Sequence, residues 1–291
     1  MERTPRVVQV GRVAVALAAS GMLGLLAVPR LAFADRADDL AKKANTFQRE
    51  VCEDVADFQS CHDSYEAGCS DKPNAVYEPY LNFLKNQVPP PDLPPVRLLT
   101  QADVKQLDQQ IPSTLKKGKH AKYAADLAQL GEGNIYGVIG YLYYAKVTKG
   151  PETTNCKLTG TKNSDFHLGV GFDPALAQKV RDGQPVDETD LEQQSIVVEM
   201  TPHYRAEHHK KWTTKRVGGV KGRQVKVVGQ LAIDTEHIGY KDNCAHPNAD
   251  MDQCWRASAW EVHPVIQFYV CDSEAPCSDE SSNWKAVDAL P

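Results

Sequence analysis

Two acid-x-histidine pairs carry the clearest chemistry in this 291-residue chain, Asp165-Phe166-His167 and Glu261-Val262-His263. Residues two apart on an extended strand share a face, so each pair presents a carboxylate beside an imidazole. Glu199 holds the matching polar position of a third alternating run. Carboxylates and imidazoles are ligands for zinc, manganese or iron, and the same groups supply a general acid and base. The set predicts a divalent-metal site with His167, Glu199 and His263 as ligands and Asp165 or Glu261 as base for a bound water. Asp234, Glu236 and His237 would complete its rim. A polar outer face is also what any half-exposed sheet needs, and Asp, Glu and His are ordinary occupants of one. What favours a site is the doubling of the pair on residue types that form strands poorly.

Strands must position these groups, and the sequence supplies five. Ile135–Val147 is rich in β-branched and aromatic residues. In Asp165–Phe172 the even positions are apolar and the odd ones polar or Gly; Ser195–Thr201, Arg223–Asp234 and Ser258–Val270 alternate likewise. The acid and histidine residues fall opposite the apolar positions and are expected to point outward. Pro264 cannot donate a ladder hydrogen bond and predicts a bulge or edge just after His263. A polar insert covers 173–194, and a helical segment is expected around 205–215.

Before the strands the pattern is helical. Leu40, Ala44, Phe47, Val51, Val55 and Phe58 recur every three or four residues, which predicts amphipathic helix in a cysteine-containing region, 35–87. Pro89, Pro90, Pro91, Pro94 and Pro95 then predict an extended crossing, the candidate linker. Thr100 and Asp103 fit an N-cap for a helix towards Ile111, and a second helix fits Ser113 to Leu130 before a Gly131-Glu132-Gly133 breaker.

The first 34 residues read as a secretory leader, with Arg3, Arg6 and Arg12 ahead of an apolar run and Ala32-Phe33-Ala34 for cleavage. Four arginines and one glutamate lie in it, leaving 29 basic and 37 acidic side chains beyond, so attraction to nucleic acid is not expected. All eight cysteines follow the leader. An even number in an oxidising compartment predicts disulfides, the simplest arrangement being Cys244 with Cys254, Cys271 with Cys277, and Cys156 with one of Cys52, Cys61 and Cys69. A cysteine zinc site is the rival reading, although no C-x-x-C occurs.

Five strands, a helical segment between the third and fourth, and Gly222-x-x-Val225-x-Val227-x-Gly229-x-Leu231 in the fourth resemble an OB-fold barrel over about residues 134–271. The resemblance implies an α+β chain with an OB-like five-stranded β-barrel behind a disulfide-containing helical region, closed by a tail at 272–291. It also implies that the fifth strand lies beside the third. Cys156, Asp165-x-His167, Glu199-x-Thr201-Pro202 and Trp260-Glu261-x-His263-Pro264-Val265 together resemble a group of uncharacterised bacterial secreted proteins. That resemblance implies no activity.

Residues 203–226 hold eight Lys or Arg against the single acid Glu207. A solvated face balancing an acidic surface explains such a run. Alternatively Trp212 could stack on a base or sugar ring, with His203 and Arg205 meeting an anionic ligand. No G-x-S-x-G, G-x-x-x-x-G-K-[ST] or H-E-x-x-H occurs, so the nucleophile elbow, the P-loop and the zincin helix are unsupported. Two function classes remain. The first is a secreted or periplasmic bacterial binding module, free of the membrane after cleavage, that holds a small molecule, glycan or protein on the barrel's polar face, with His203, Arg205, Trp212, Asp234 and His237 as contacts. The second is a metal-dependent hydrolase, such as a phosphoesterase, built on the acid and histidine pairs.

Overall fold

The structure is a computed structural model that describes residues 30–148 and 150–290. The expected leader lies outside the described residues, save for residues 30–34 in the backbone of the first helix. Helices α1 (Arg30–Lys42), α2 (Phe58–Ser64) and α3 (Pro79–Lys85) make up the amino-terminal region. The helical period read from Leu40 to Phe58 is interrupted between α1 and α2. Cys52–Cys69 and a bridge between Val51 and Ser70 hold that stretch extended, a tertiary constraint that overrides local propensity.

Strand β1 (Leu98–Leu99) leads into α4 (Gln101–Gln110). As expected, Thr100 caps α4, its Oγ1 accepting from the Asp103 amide at 3.2 Å while Asp103 Oδ2 accepts from the Thr100 amide at 2.8 Å. The second expected helix is shorter than read. Gly118 sits at φ 80, a left-handed turn, so regular helix forms only at α5 (Ala124–Leu130), which ends on Gly131 at φ 110.

The remaining elements are β2 (Ile135–Val147), β3 (Phe166–Gly171), α6 (Pro174–Arg181), α7 (Glu188–Gln193), β4 (Ser195–Met200), α8 (Pro202–His208), α9 (Thr214–Gly218), β5 (Gln224–Ile233), β6 (Trp260–Cys271) and β7 (Trp284–Ala286). The five expected strands are β2 to β6. They close into one barrel in the order β2-β3-β4-β6-β5 and back to β2, antiparallel except for the parallel pair β4–β6. The OB-like order therefore holds, with α8 and α9 between the third and fourth barrel strands. Val138, Leu168, Val198, Val227 and Val262 fill the interior, each at most 1 % exposed. The bulge expected near Pro264 is present as register shifts on either side of Gly229. A Cβ at Gly229 would lie 2.4 Å from the Pro264 carbonyl oxygen, so only glycine fits this approach.

All eight cysteines form disulfides, Cys52–Cys69, Cys61–Cys156, Cys244–Cys254 and Cys271–Cys277. Cys61–Cys156 ties the amino-terminal region to the segment between β2 and β3. At the same junction the Cys69 amide donates to the Thr153 carbonyl at 3.0 Å, beside Gly68, where a Cβ would collide with that oxygen. Helix α3 is the centre of the cover, with Leu81, Phe83 and Leu84 at most 1 % exposed. Burying each such side chain contributes about 1.5–3 kcal/mol. Gln230, on the outer face of β5, donates to the Leu84 carbonyl at 2.7 Å and fixes α3 against the barrel. The proline-rich stretch also lies on the barrel: Tyr204 donates to the Pro89 carbonyl at 3.0 Å and Gln267 to the Pro91 carbonyl at 2.8 Å.

One buried carboxylate in this packing gives a pH prediction. Asp108 of α4 accepts from the Ala259 amide at 3.2 Å, but its second oxygen is buried without a partner. Burial pushes its carboxyl up to about 6, against the pull of Ser258, Ala259 and Arg256. The folded chain thus holds the proton more tightly than the unfolded one. The neutral form's stabilisation is complete below pH ~4 and is lost as pH rises towards 6, a change of about 1–3 kcal/mol. Asp108→Asn is expected to raise the urea midpoint at pH 7 and leave it nearly unchanged at pH 4. Equal effects at both pH values would contradict this origin.

Candidate functional site

Strand pairing brings the two acid and histidine pairs to one patch. β3 and β4 pair with His167 opposite Glu199, and β4 runs parallel to β6 with Val198 opposite Val262. Glu199 therefore lies between the two imidazoles, its Oε2 3.2 Å from His167 Nε2 and 3.2 Å from His263 Nδ1. His263 Nδ1 is also 3.2 Å from Glu261 Oε1. These side chains occupy the barrel's outer face, as the alternation predicts. The expectation of a solvent-facing patch needs correction, because Asp165, Glu199, Glu261 and His263 are at most 3 % exposed. Helix α3 and the disulfide-tied segment 151–165 cover them.

The cover contributes charges that periodicity could not reveal. Lys85, at the end of α3, reaches Glu261 Oε1 at 3.2 Å and Asp234 Oδ2 at 3.4 Å. Arg256, fully buried, pairs with Glu261 at 2.7 Å and Asp234 at 3.0 Å. Burial disfavours each charge, yet the attraction prevails throughout: Lys85 and Arg256 are held above their ordinary values, and Asp234 and Glu261 below theirs, with Lys85 the largest attractive influence on both acids. His237 caps the arrangement from the surface, its Nδ1 2.8 Å from Asp234 Oδ2.

Next to this compensated group lies one that is less fully partnered. The Asn155 amide donates to Glu152 at 3.2 Å and to Asp165 at 3.3 Å, bridging two carboxylates. Burial, then the charges of Asp165 and Glu199, push Glu152 up to about 9. Burial alone would lower His167, but Glu199, Glu152 and Asp165 raise it to about 9. His167 Nε2 is engaged by Glu199 as an ion pair at 3.2 Å, whereas Asp165 Oδ1 and His263 Nε2 are buried without a hydrogen bond. Such atoms carry a desolvation cost that a ligand would relieve.

Asp165, Glu199 and His263 each bring one ligand atom to within 4.8 Å of the others. His167 stands beside this triplet, across Glu199 from His263, so the structure gathers Asp165 in the place the sequence reading gave to His167. His167 is instead the member that meets solvent, its side chain 26 % exposed in an open pocket of about 790 Å³ lined also by Lys146, Thr148, Thr159, Thr161 and Ser164. The other grouping of this kind among the described residues, Cys52, Cys69 and Cys156, consists of disulfide sulfurs.

The remaining expected ligand contacts are spread through the packing. His203 is buried, its ring centroid 3.9 Å from that of His62, and burial followed by His62 lowers it to about 4. Arg205 lies over the Phe166 ring at 3.5 Å and donates to the Ser164 carbonyl at 2.5 Å, anchoring the segment ahead of Asp165. Trp212, at 3 % exposure, stacks on His209 and donates to Asp288 at 3.0 Å. A burial that complete leaves no ring face for the stacking contact expected of it. Part of the basic stretch is likewise engaged within the chain, Lys226 pairing with Asp279 at 3.2 Å and Arg223 with Asp272 at 3.5 Å.

The four disulfides fit an oxidising compartment. Among the described residues no helix is long and apolar enough to cross a membrane. Compared with known protein families, with curated proteins and with solved structures, the chain matches none.

Proposed function

We propose that this chain is a secreted binding module that holds one divalent metal ion at Asp165, Glu199 and His263 under its amino-terminal cover. The observation that carries the reading is the pair of fully buried, unpartnered atoms, Asp165 Oδ1 and His263 Nε2, within a triplet of metal-ligating side chains. Two carboxylates and an imidazole suit zinc, with manganese and iron as competitors. His263 Nδ1 faces the carboxylates of Glu261 and Glu199, each at 3.2 Å, which orients the ring as second carboxylates commonly orient ligating histidines, while Nε2 is left unpartnered. Secretion is supported by the leader-like first 34 residues and the four disulfides.

Binding is preferred to hydrolysis because of where the two expected bases lie: Asp165 is itself one of the proposed ligands, at 2 % exposure. Glu261 is fully buried and committed to Lys85, Arg256 and His263, leaving it no access to a substrate. Elemental analysis of protein purified without chelator is expected to find about one zinc, manganese or iron per chain. Asp165→Asn and His263→Ala should each lose it while keeping all four disulfides and the far-ultraviolet circular dichroism of the parent. A parent protein that carries no metal and takes up no zinc in calorimetry would overturn the reading.

A further inference from the structure

The metal ligands proposed above have no direct path to solvent. Asp165, Glu199 and His263 are at most 3 % exposed. On one side lies the barrel wall with its apolar interior. On the other, α3 is fixed by Gln230, by Lys85 and by Asn82, whose amide donates to Thr153 Oγ1 at 3.0 Å, and Cys61–Cys156 joins the cover to the adjoining segment covalently. Passage through the cover would need these contacts to open together. The third side differs. His167 lines the open pocket, while its buried Nε2 is ion-paired with Glu199 at 3.2 Å. No other residue of the charged network lines that pocket.

We propose that His167 is the port of the metal site: the ion enters and leaves through the pocket when the imidazole swings aside, and the closed ring retains it. This rests on the metal reading and adds that the ion is exchangeable, so that the chain can accept and surrender it without unfolding. Rotation of one partly exposed side chain takes place far faster than opening of a covalently tied cover. The pocket is lined by hydroxyls, and Lys146, the one lysine among its described lining residues, is offset by Glu192 at 2.5 Å, so a hydrated cation meets mainly neutral polar groups there.

The test is stopped-flow exchange of zinc alone with a fluorescent chelator on the full disulfide-bonded chain. His167→Ala should speed uptake and release together by about tenfold or more, keeping one zinc per chain and a Kd within about threefold of the parent. His167→Phe, which fills the port, and Thr161→Trp, an exposed rim position away from the ligands, should each slow both rates. Rates unchanged in all three variants would overturn the port and leave the metal site standing. A parent chain that takes up no zinc would overturn both together.

Discussion

Replacing Arg256 with methionine is expected to cost about 3–5 kcal/mol of folding stability at pH 7, the usual penalty for removing one partner of a buried charge pair. Arg256 is fully buried and its guanidinium spans Asp234 and Glu261. Methionine fills much of the volume but removes both guanidinium contacts, leaving Asp234 to Lys85 and His237 and Glu261 to Lys85 and His263. The pH dependence identifies the cause. In the parent both acids are held below their ordinary values, burial opposing this and the summed attraction of the surrounding groups, Lys85 foremost, outweighing it, so their contribution is present above about pH 4 and is lost on acidification. In the variant the same acids become a liability wherever they are ionised. The destabilisation should therefore be large at pH 7 and shrink towards pH 4, as followed by guanidinium denaturation across that range. Adding Asp234→Asn and Glu261→Gln to Arg256→Met should restore most of the loss at pH 7. A loss below about 1 kcal/mol, or one independent of pH, would mean that the pairs stabilise no more than surface ones do.

What could be read from the sequence follows from the range of the signals involved. The barrel strands were legible because alternation has a period of two, and a strand with one face in an apolar core must keep it. The same alternation put Asp165, His167, Glu199, Glu261 and His263 on one outer face, and the OB-like strand order made them neighbours. Polarity, however, does not distinguish an exposed face from a covered one. The cover that buries the face is built by α3, whose seven residues are too few for a periodic signal. Lys85 and Arg256 neutralise the patch from 149 and 22 positions away from Asp234 in sequence, and no local pattern records such distances. Glu152 and Asn155 lie in irregular backbone, where side-chain direction does not follow from position. The interchange of Asp165 and His167 at the triplet has a similar origin: Asp165 precedes the first residue of β3, so the two-residue rule that paired it with His167 does not fix its direction.

The largest single loss of stability should come from Cys61→Ser/Cys156→Ser. The bond spans a sequence separation of 95, and closing a loop of that length removes about 4–5 kcal/mol of unfolded-chain entropy. The short bridges are weaker cross-links by the same reasoning; Cys271–Cys277, with a separation of 6, should matter less to global stability. Position adds to the effect. Cys61–Cys156 holds α2 to the segment carrying Glu152 and Asn155, and the Cys69–Thr153, Asn82–Thr153 and Asn86–Thr154 hydrogen bonds line the same junction. Without the bond the cover can open locally at less cost than global unfolding, which exposes carboxylates now shielded from water. Amide hydrogen exchange should consequently quicken most in α2, α3 and residues 151–165, while β5 and β6 at the barrel's centre stay comparatively protected. Uniform acceleration across cover and barrel would show instead that the two unfold as one unit. In that case the bond would act on stability through the unfolded chain alone.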